Sequence, residues 1–403
     1  MEKIGLVRTR DGRNFLVPFI LITSLFFLWG VAHSILDVLN KHFQDTLEIT
    51  RTRSALIQAV VYGGYFVMAL PAGKIIRRYG YRTGVLTGLV LYGIGALLFI
   101  PGGRIQSFEF FLTALFVIGC GLTCLETAAN PYVTVLGEPE GSERRINLAQ
   151  AFNGLGWICG PLAGGFFLFA GGGDVTTPYA VLGSVVLLIA LCFSRVKLPE
   201  VDREEENKAP ETGGKERSLW KTVSFTAGLF SLFLYVAAQT SINSFFINYT
   251  TEHAGISARE ASVWLSFGGM GLFMAGRMGG SWLMRFVRSE KVLAGCAVGA
   301  VASMLGVIFL PGEVGWYCFM LCFFCESVMF PTIFSLAIRK VGSDTKRASS
   351  FLIMSIVGGA IAPILMGMIA DSYSMAVAFV VPLVCFVEIL WFAVRYRKLQ
   401  NVC

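Results

Sequence analysis

Apolar runs of about twenty residues recur along the chain, each closed by a short polar or charged break, and that length is what an α-helix needs to cross a bilayer's hydrocarbon. Reading runs against breaks predicts six spans in the first half, at 16–40, 54–76, 83–101, 107–135, 147–171 and 178–195. Six more follow at 222–249, 259–284, 292–311, 315–338, 348–370 and 376–395. The expected fold class is an all-α membrane protein of twelve transmembrane helices in two six-helix bundles. Between the halves runs DREEENKAPETGGKER, charged and poor in apolar residues, as a connector should be. The expected organisation is an N-terminal bundle at 1–196, a cytoplasmic linker at 197–219 and a C-terminal bundle at 220–403. Glu204, Glu205 and Glu206 read as solvated linker residues.

Composition agrees with the bilayer as solvent. The 403 residues are 55% hydrophobic and 15% charged, with a mean hydropathy of +0.67, against roughly 25% charged in soluble domains. The 45 glycines and 34 phenylalanines suit a helical membrane bundle, in which small residues let backbones approach. A net charge of +7 does not imply a nucleic-acid partner, because the charges lie in short clusters between apolar runs and form no basic patch. Most of the ten cysteines sit inside apolar spans, and even the pair Cys322 and Cys325 reads as helix core and not as a metal site. The basic N-terminal stretch leads into a span of about 24 residues, longer than the core of a cleavable signal.

The cations orient the spans. Of 33 Lys and Arg, all but Lys41, Arg51, Arg53, Arg104 and Arg259 fall on the face that holds both termini and the central linker. Cytoplasmic loops carry such an excess, so both termini are expected in the cytoplasm.

The halves echo each other. Glu126 and Pro131 in the fourth span share an E-x4-P spacing with Glu326 and Pro331 in the tenth. Arg145, Gly156 and Pro161 in the fifth keep the offsets of Arg347, Gly358 and Pro363 in the eleventh. Aligning W-G-V-A-H in span one with Y-V-A-A-Q in span seven pairs His33 with Gln239 and Asp37 with Asn243. Three correspondences in consistent order indicate a duplicated six-helix unit. Transporters built from repeats bind substrate near the midplane on these related helices.

Polar side chains inside the spans are therefore the site candidates. An ionised carboxylate in hydrocarbon costs about 2.5 to 3.5 kcal/mol on insertion scales unless it faces a cavity or a partner. Glu126, with no Lys or Arg in its own span, reads as a proton carrier, the alternative being a structural acid fixed by a base or by backbone donors. Asp37 reads as a second titrating group or an acceptor for sugar hydroxyls, the alternative being an ion pair with Lys41 one turn on. His33 lies one turn before Asp37 on the same helix face, where it would contact substrate or simply hydrogen-bond within the core. Asn147, Gln150 and Asn153 form one amide stripe on the fifth span, offering the donors and acceptors that a polyhydroxylated ligand needs, or else interhelical bonds. Asn130, Gln239, Asn243 and Glu326 complete the polar set. Trp29, Tyr62 and Tyr65 offer faces on which a sugar could stack, though each also serves as packing.

Four stretches carry a family resemblance: Y-G-G-Y-F-V-M-A-L-P-A-G from Tyr62, C-L-E-T-A-A-N-P-Y-V-T-V-L-G from Cys124, N-L-A-Q-A-F-N from Asn147 and F-P-T-I-F-S-L from Phe330. They resemble the fucose permease branch of the major facilitator superfamily, most densely in the first half. The resemblance implies twelve helices in two bundles, alternating access and symport of a monosaccharide with protons, with no other cofactor. It implies that Asp37 and Glu126 match the branch's two intramembrane acids, and Gln150 and Asn153 its polar residues of span five. Departures fall in the presumed sugar site. Ala32 and His33 stand where the branch has an Asn pair, Asn243 replaces an aromatic, and Glu326 is an additional acid. The sugar is thus open among fucose, glucose, galactose, mannose and an amino sugar.

The superfamily's loop between spans two and three shows Gly73, Arg78, Gly80 and Arg82, with Arg77 where an acid is usual. Gly276, Arg277, Gly280 and Arg285 form the related loop of the second half. Arg78, Arg82, Arg277 and Arg285 are the expected gating cations, those of the second half being able to pair with helix C-termini. The expected function is a proton-coupled monosaccharide importer of the plasma (inner) membrane, acting as a monomer in the lipid bilayer. The rival readings are a sodium-coupled or uncoupled sugar transporter and an exporter of a small metabolite. No metal cluster, nucleophile elbow or phosphate loop points to an enzyme.

Overall fold

The computed structural model describes residue 7 and residues 14–134, 136–137, 142–170, 174–195, 219–284, 286–310, 312–339, 341 and 345–401. The expected linker falls almost wholly outside the described residues. Among the described residues, eleven helices are long and apolar enough to cross a membrane. In the first half the spans are Leu16–Leu47, Arg51–Ile76, Tyr81–Ile105, Phe108–Asn130, Leu148–Phe169 and Thr176–Arg195. In the second half they are Val223–His253, Ser289–Phe309, Glu313–Ile338, Phe351–Ser372 and Met375–Leu399. The remaining expected span, the eighth, is helical but not uniform. It runs as Ala258–Val263, a widened π-type turn at Trp264–Met270, and Gly271–Leu283. With it, the described residues account for each of the twelve spans that the hydropathy pattern predicts.

Two spans are longer than their apolar runs. The first helix continues past residue 40 to Leu47, and the seventh continues past residue 249 to His253, because their last turns find polar partners on neighbouring helices. The chain divides into two compact units, one of Met1–Leu36 with Gly63–Ala209, the other of Asp37–Tyr62 with Pro210–Cys403. The far half of span one and the start of span two thus belong with the C-terminal helices.

Within the first unit, small residues set the packing. A Cβ on Gly30 would strike the Asn153 carbonyl, and one on Gly156 would strike the Phe27 carbonyl, so spans one and five touch backbone to backbone. That approach is what brings the polar residues of the two helices close. The side chains of Ile20, Leu70, Phe166 and Leu188 are exposed, as lipid-facing positions are when no lipid is present.

Of the four prolines related by the repeat, Pro131, Pro161 and Pro363 lie inside continuous helices, and Pro331 follows an interruption. Proline has no N–H, so Pro331 leaves the carbonyl of Ser327 without its helical partner. The tenth span accordingly ends one helix at Glu326 and begins another at Met329. The freed Ser327 carbonyl accepts instead from Arg277 Nε at 3.3 Å. In the first unit, fully buried Arg145 donates from Nε to the Val133 carbonyl at 3.2 Å, at the end of the fourth helix.

Candidate functional site

In the first unit, the sequence candidates of four spans converge. His33 Nε2 lies 2.9 Å from the Tyr65 hydroxyl, and the same hydroxyl is hydrogen-bonded to Glu126. Spans one, two and four are thereby joined by a three-residue chain, His33–Tyr65–Glu126. His33 is itself framed by aromatics. It stacks on Trp157 of span five with ring centroids 6.0 Å apart and planes 15° apart, and meets Trp29 edge-on at 6.2 Å. His33 is buried, whereas Glu126, Tyr65 and Trp29 are half-buried, so the chain runs from packed interior to an accessible face.

The amides of span five divide their roles. Gln150 is exposed, with Nε2 3.5 Å from Asn130 Oδ1, the outer limit of a hydrogen bond. Asn153 instead donates from Nδ2 to the Phe26 carbonyl at 2.9 Å, which makes it a tie between spans five and one. Asn153 is half-buried. The side chain of Asn147 lies outside the described residues.

The second unit holds the other acids. Asp37 is buried and accepts from Gln58 Nε2 at 3.0 Å and from Ser244 Oγ at 3.4 Å. The ion pair with Lys41 considered from the sequence is not formed, because Lys41 reaches one turn the other way to Asp45 at 2.7 Å. Tyr62 accepts from Thr240 Oγ1 at 3.3 Å and packs against Gly359, so it is part of the contact between its helix and spans seven and eleven. Asn243 is buried with its Oδ1 unbonded, while Gln239 is half-buried. Glu326 is fully buried, with neither carboxyl oxygen bonded among the described residues.

The same unit contains a clasp at the end of the helices opposite the chain terminus. Asp371 accepts from the backbone N–H of Arg51 at 3.0 Å, the N–H of Thr52 at 2.8 Å and Thr52 Oγ1 at 2.6 Å. The Arg51 guanidinium donates in return to the Ala370 carbonyl at 2.8 Å and pairs with Glu252. Two helix ends therefore satisfy each other's orphan groups. Nearby, Asn40 Nδ2 donates to the Ser244 carbonyl at 2.6 Å, and Asn248 bonds Gln44 at 2.5 Å.

Of the expected gating cations, Arg82 donates to the Ser194 carbonyl at 2.5 Å, at the C-terminus of span six, where a cation meets the helix dipole favourably. Arg277 serves the Ser327 carbonyl and lies over the Phe273 ring at 4.8 Å. Arg78 lies beside Tyr79, 5.3 Å from its ring, and Arg285 lies outside the described residues.

Sequence reasoning missed Gln58, Ser244 and Trp157. Gln58 was legible as an amide inside an apolar run. Ser244 and Trp157 were not, since Ser and Trp are common in membrane helices for packing alone.

Buried acids and amides on helices whose other faces are apolar are the pattern of a membrane transporter. The sequence profile of the Major Facilitator Superfamily matches residues 15–357, and the chain belongs to that family. It is 37% identical to the L-fucose-proton symporter of Escherichia coli (strain K12) over 417 residues, covering 96% of this chain and 94% of the relative. It is 34% identical to the Glucose/galactose transporter of Brucella abortus biovar 1 (strain 9-941) over 401 residues, 97% of this chain and 96% of that one. Among solved structures, the Major Facilitator Superfamily transporter FucP in the outward conformation matches with a TM-score of 0.68 and 36% identity. That match covers 95% of this chain and 99% of that one.

Proposed function

We propose that the protein imports a monosaccharide of the fucose, galactose or glucose type together with protons, by alternating access, as a multi-pass monomer of the plasma (inner) membrane with cytoplasmic termini. Protons are the coupling ion and no other cofactor takes part. The relatives named as an L-fucose-proton symporter and a glucose/galactose transporter support the substrate class. The observation that carries the reading is the chain from Glu126 through Tyr65 to His33.

That chain couples a proton to a binding face by hydrogen-bond direction alone. An ionised carboxylate can only accept, so with Glu126 ionised the Tyr65 hydroxyl donates to it and its oxygen accepts from His33 Nε2–H. A protonated carboxyl can donate. With Glu126 protonated, its O–H donates to Tyr65, Tyr65 donates to His33 Nε2, and the imidazole proton sits on Nδ1. One proton on Glu126 therefore reverses two bonds and changes which ring nitrogen of His33 donates and which accepts. A sugar hydroxyl near His33, Trp29 or the Gln150 and Asn153 amides would meet a different donor pattern in the two states. Such a ligand shifts the conformational equilibrium by its difference in affinity. Asp37, held by Gln58 and Ser244, is the second acid of the cycle, whose donors replace the water it lacks.

Purified protein in proteoliposomes, given labelled L-fucose, D-galactose and D-glucose with an inward proton gradient, a sodium gradient or none, tests the reading. Accumulation of one sugar driven only by the proton gradient is the expected result. Accumulation driven by sodium, equilibration without any gradient, or outward pumping would replace it by the sodium-coupled, uncoupled or exporter readings.

A further inference from the structure

Four acids that stand in the interior of the spans differ in one respect. Glu126 is bonded by Tyr65, Asp37 by Gln58 and Ser244, and Glu388 through Oε1 by Ser231 at 3.0 Å. Glu326 alone among these four has no hydrogen bond to either oxygen, at 0% exposure. We propose that Glu326 is a further proton-carrying carboxyl, loaded and emptied in each transport cycle, so that it adds one proton to the number carried with each substrate molecule. The proposal rests on the proton-coupled reading above and deepens it.

Three observations carry it. The first is solvation: an ionised carboxylate keeps its charge in a protein interior only where donors or a cation replace its water, and none of the described residues does so. The groups facing it are the Tyr235 phenol of span seven and the thiols of Cys322 and Cys325 on its own helix. Tyr235 is itself fully buried with an unbonded hydroxyl. Cys296 of span nine stands behind Cys325. The nearby cation Arg277 of span eight is directed to Tyr235 and to the Ser327 carbonyl, not to Glu326.

The second observation is position. Glu326 stands five residues before Pro331 as Glu126 stands five before Pro131, so it is the repeat counterpart of the acid assigned to coupling. The third is the break in its helix. Glu326 is the last residue of Glu313–Glu326, and Ser327 and Val328 separate it from Met329–Ile338. A carboxyl at such a junction can turn toward water when the two segments move, without disrupting a continuous helical ladder. The reaction is an acid ionisation, in which the Glu326 O–H bond breaks on one side of the cycle, water takes the proton, and the bond re-forms on the other.

The test counts protons. Proteoliposomes held at zero membrane potential with potassium and valinomycin, and given a gradient of one pH unit, accumulate a coupled solute to a limit that rises about tenfold for each proton carried. The probe is whichever of labelled L-fucose, D-galactose or D-glucose the wild type concentrates. The Glu326→Gln variant is expected to reach a limit about tenfold lower yet still above unity, and Glu326→Asp to keep the wild-type limit. An unchanged limit in Glu326→Gln, or a changed sugar affinity with an unchanged limit, overturns the proposal and leaves the proton-coupled reading standing. Infrared difference spectra of the protein between acid and alkaline pH decide the matter without transport. One carboxylic-acid carbonyl band is expected to vanish in Glu326→Gln and to shift in Glu326→Asp. Spectra in which neither variant alters any carboxylic-acid band also overturn the proposal, and where Glu326→Gln fails to fold the Glu326→Asp spectrum decides alone.

Discussion

Glu126 and Glu326 occupy matching places in the two repeats, yet the first is hydrogen-bonded to a tyrosine that also holds a histidine, while the second is sealed among Tyr235, Cys322 and Cys325 without a bond. Duplication sets where an acid stands on its helix. What the acid can do depends on the neighbouring spans. In the first unit a Gly30–Gly156 approach draws spans one and five together and frames His33 with Trp29 and Trp157. In the second unit the corresponding region is filled by a buried phenol and thiols, so a proton on Glu326 has no hydrogen-bonded route to a second residue among those described.

The largest expected effect is on Glu126. Glu126→Gln fixes the neutral form and takes away the switch in the Glu126–Tyr65–His33 chain that ties protons to the sugar, so accumulation driven by a pH gradient should be lost even with Glu326 intact, while exchange of internal for external sugar continues. Since the sugar is read as binding the protonated form, wild-type affinity should fall as pH rises, and the variant should show a flatter profile. Binding measured by calorimetry across pH checks this, and retained accumulation in Glu126→Gln would move the carrier to Asp37 or Glu326.

Next comes Gln150→Ala, which removes the exposed amide of span five. Truncating such a group costs about 1 to 3 kcal/mol where the ligand's partner is left unpaired, or roughly 5- to 150-fold in affinity. Asn153→Ala breaks the tie to the Phe26 carbonyl as well, so it should lower thermal stability along with affinity, whereas Gln150→Ala should leave stability unchanged. Equal melting temperatures for the two variants would remove the distinction between ligand amide and helix tie.

Two tyrosines sharpen the comparison directly. Tyr65→Phe deletes both bonds of the chain and should weaken the pH dependence of sugar binding and cost about 1 kcal/mol of stability. Tyr235→Phe deletes a buried hydroxyl that bonds none of the described residues, so stability should hold or rise. Matching losses in both variants, read by thermal unfolding in detergent, would show that the two acids sit in equivalent surroundings after all.

The smallest effect lies outside both regions. Exposed Asp174 accepts from the Thr176 N–H at 2.8 Å and the Thr177 N–H at 3.2 Å, at the start of span six. The Thr177 hydroxyl bond, with these backbone donors, holds its carboxyl below the ordinary aspartate range. A depressed carboxyl stabilises the fold above its unfolded value and loses that contribution as pH falls through the folded one. Asp174→Asn should therefore unfold at a slightly lower temperature than wild type at neutral pH, with the gap closing in acid.

The order of polar and apolar residues by itself determined twelve membrane helices in two halves and the intramembrane acids Asp37, Glu126 and Glu326. The reason is that the bilayer's thickness and the cost of a charge in hydrocarbon are properties of the solvent, which any span must meet alone. The E-x4-P spacing did not determine the helix break beside Glu326, since the matching Glu126 and Pro131 lie within one continuous helix, Phe108–Thr134. Only the tertiary structure decided that Asp37 bonds Gln58 and Ser244 and not Lys41, that Asn153 spends its donor on Phe26, and that Tyr65 links Glu126 to His33. Each of those bonds joins residues on different helices, and which helix faces meet is set by close backbone contact such as that of Gly30 with Gly156, which no single span's pattern contains.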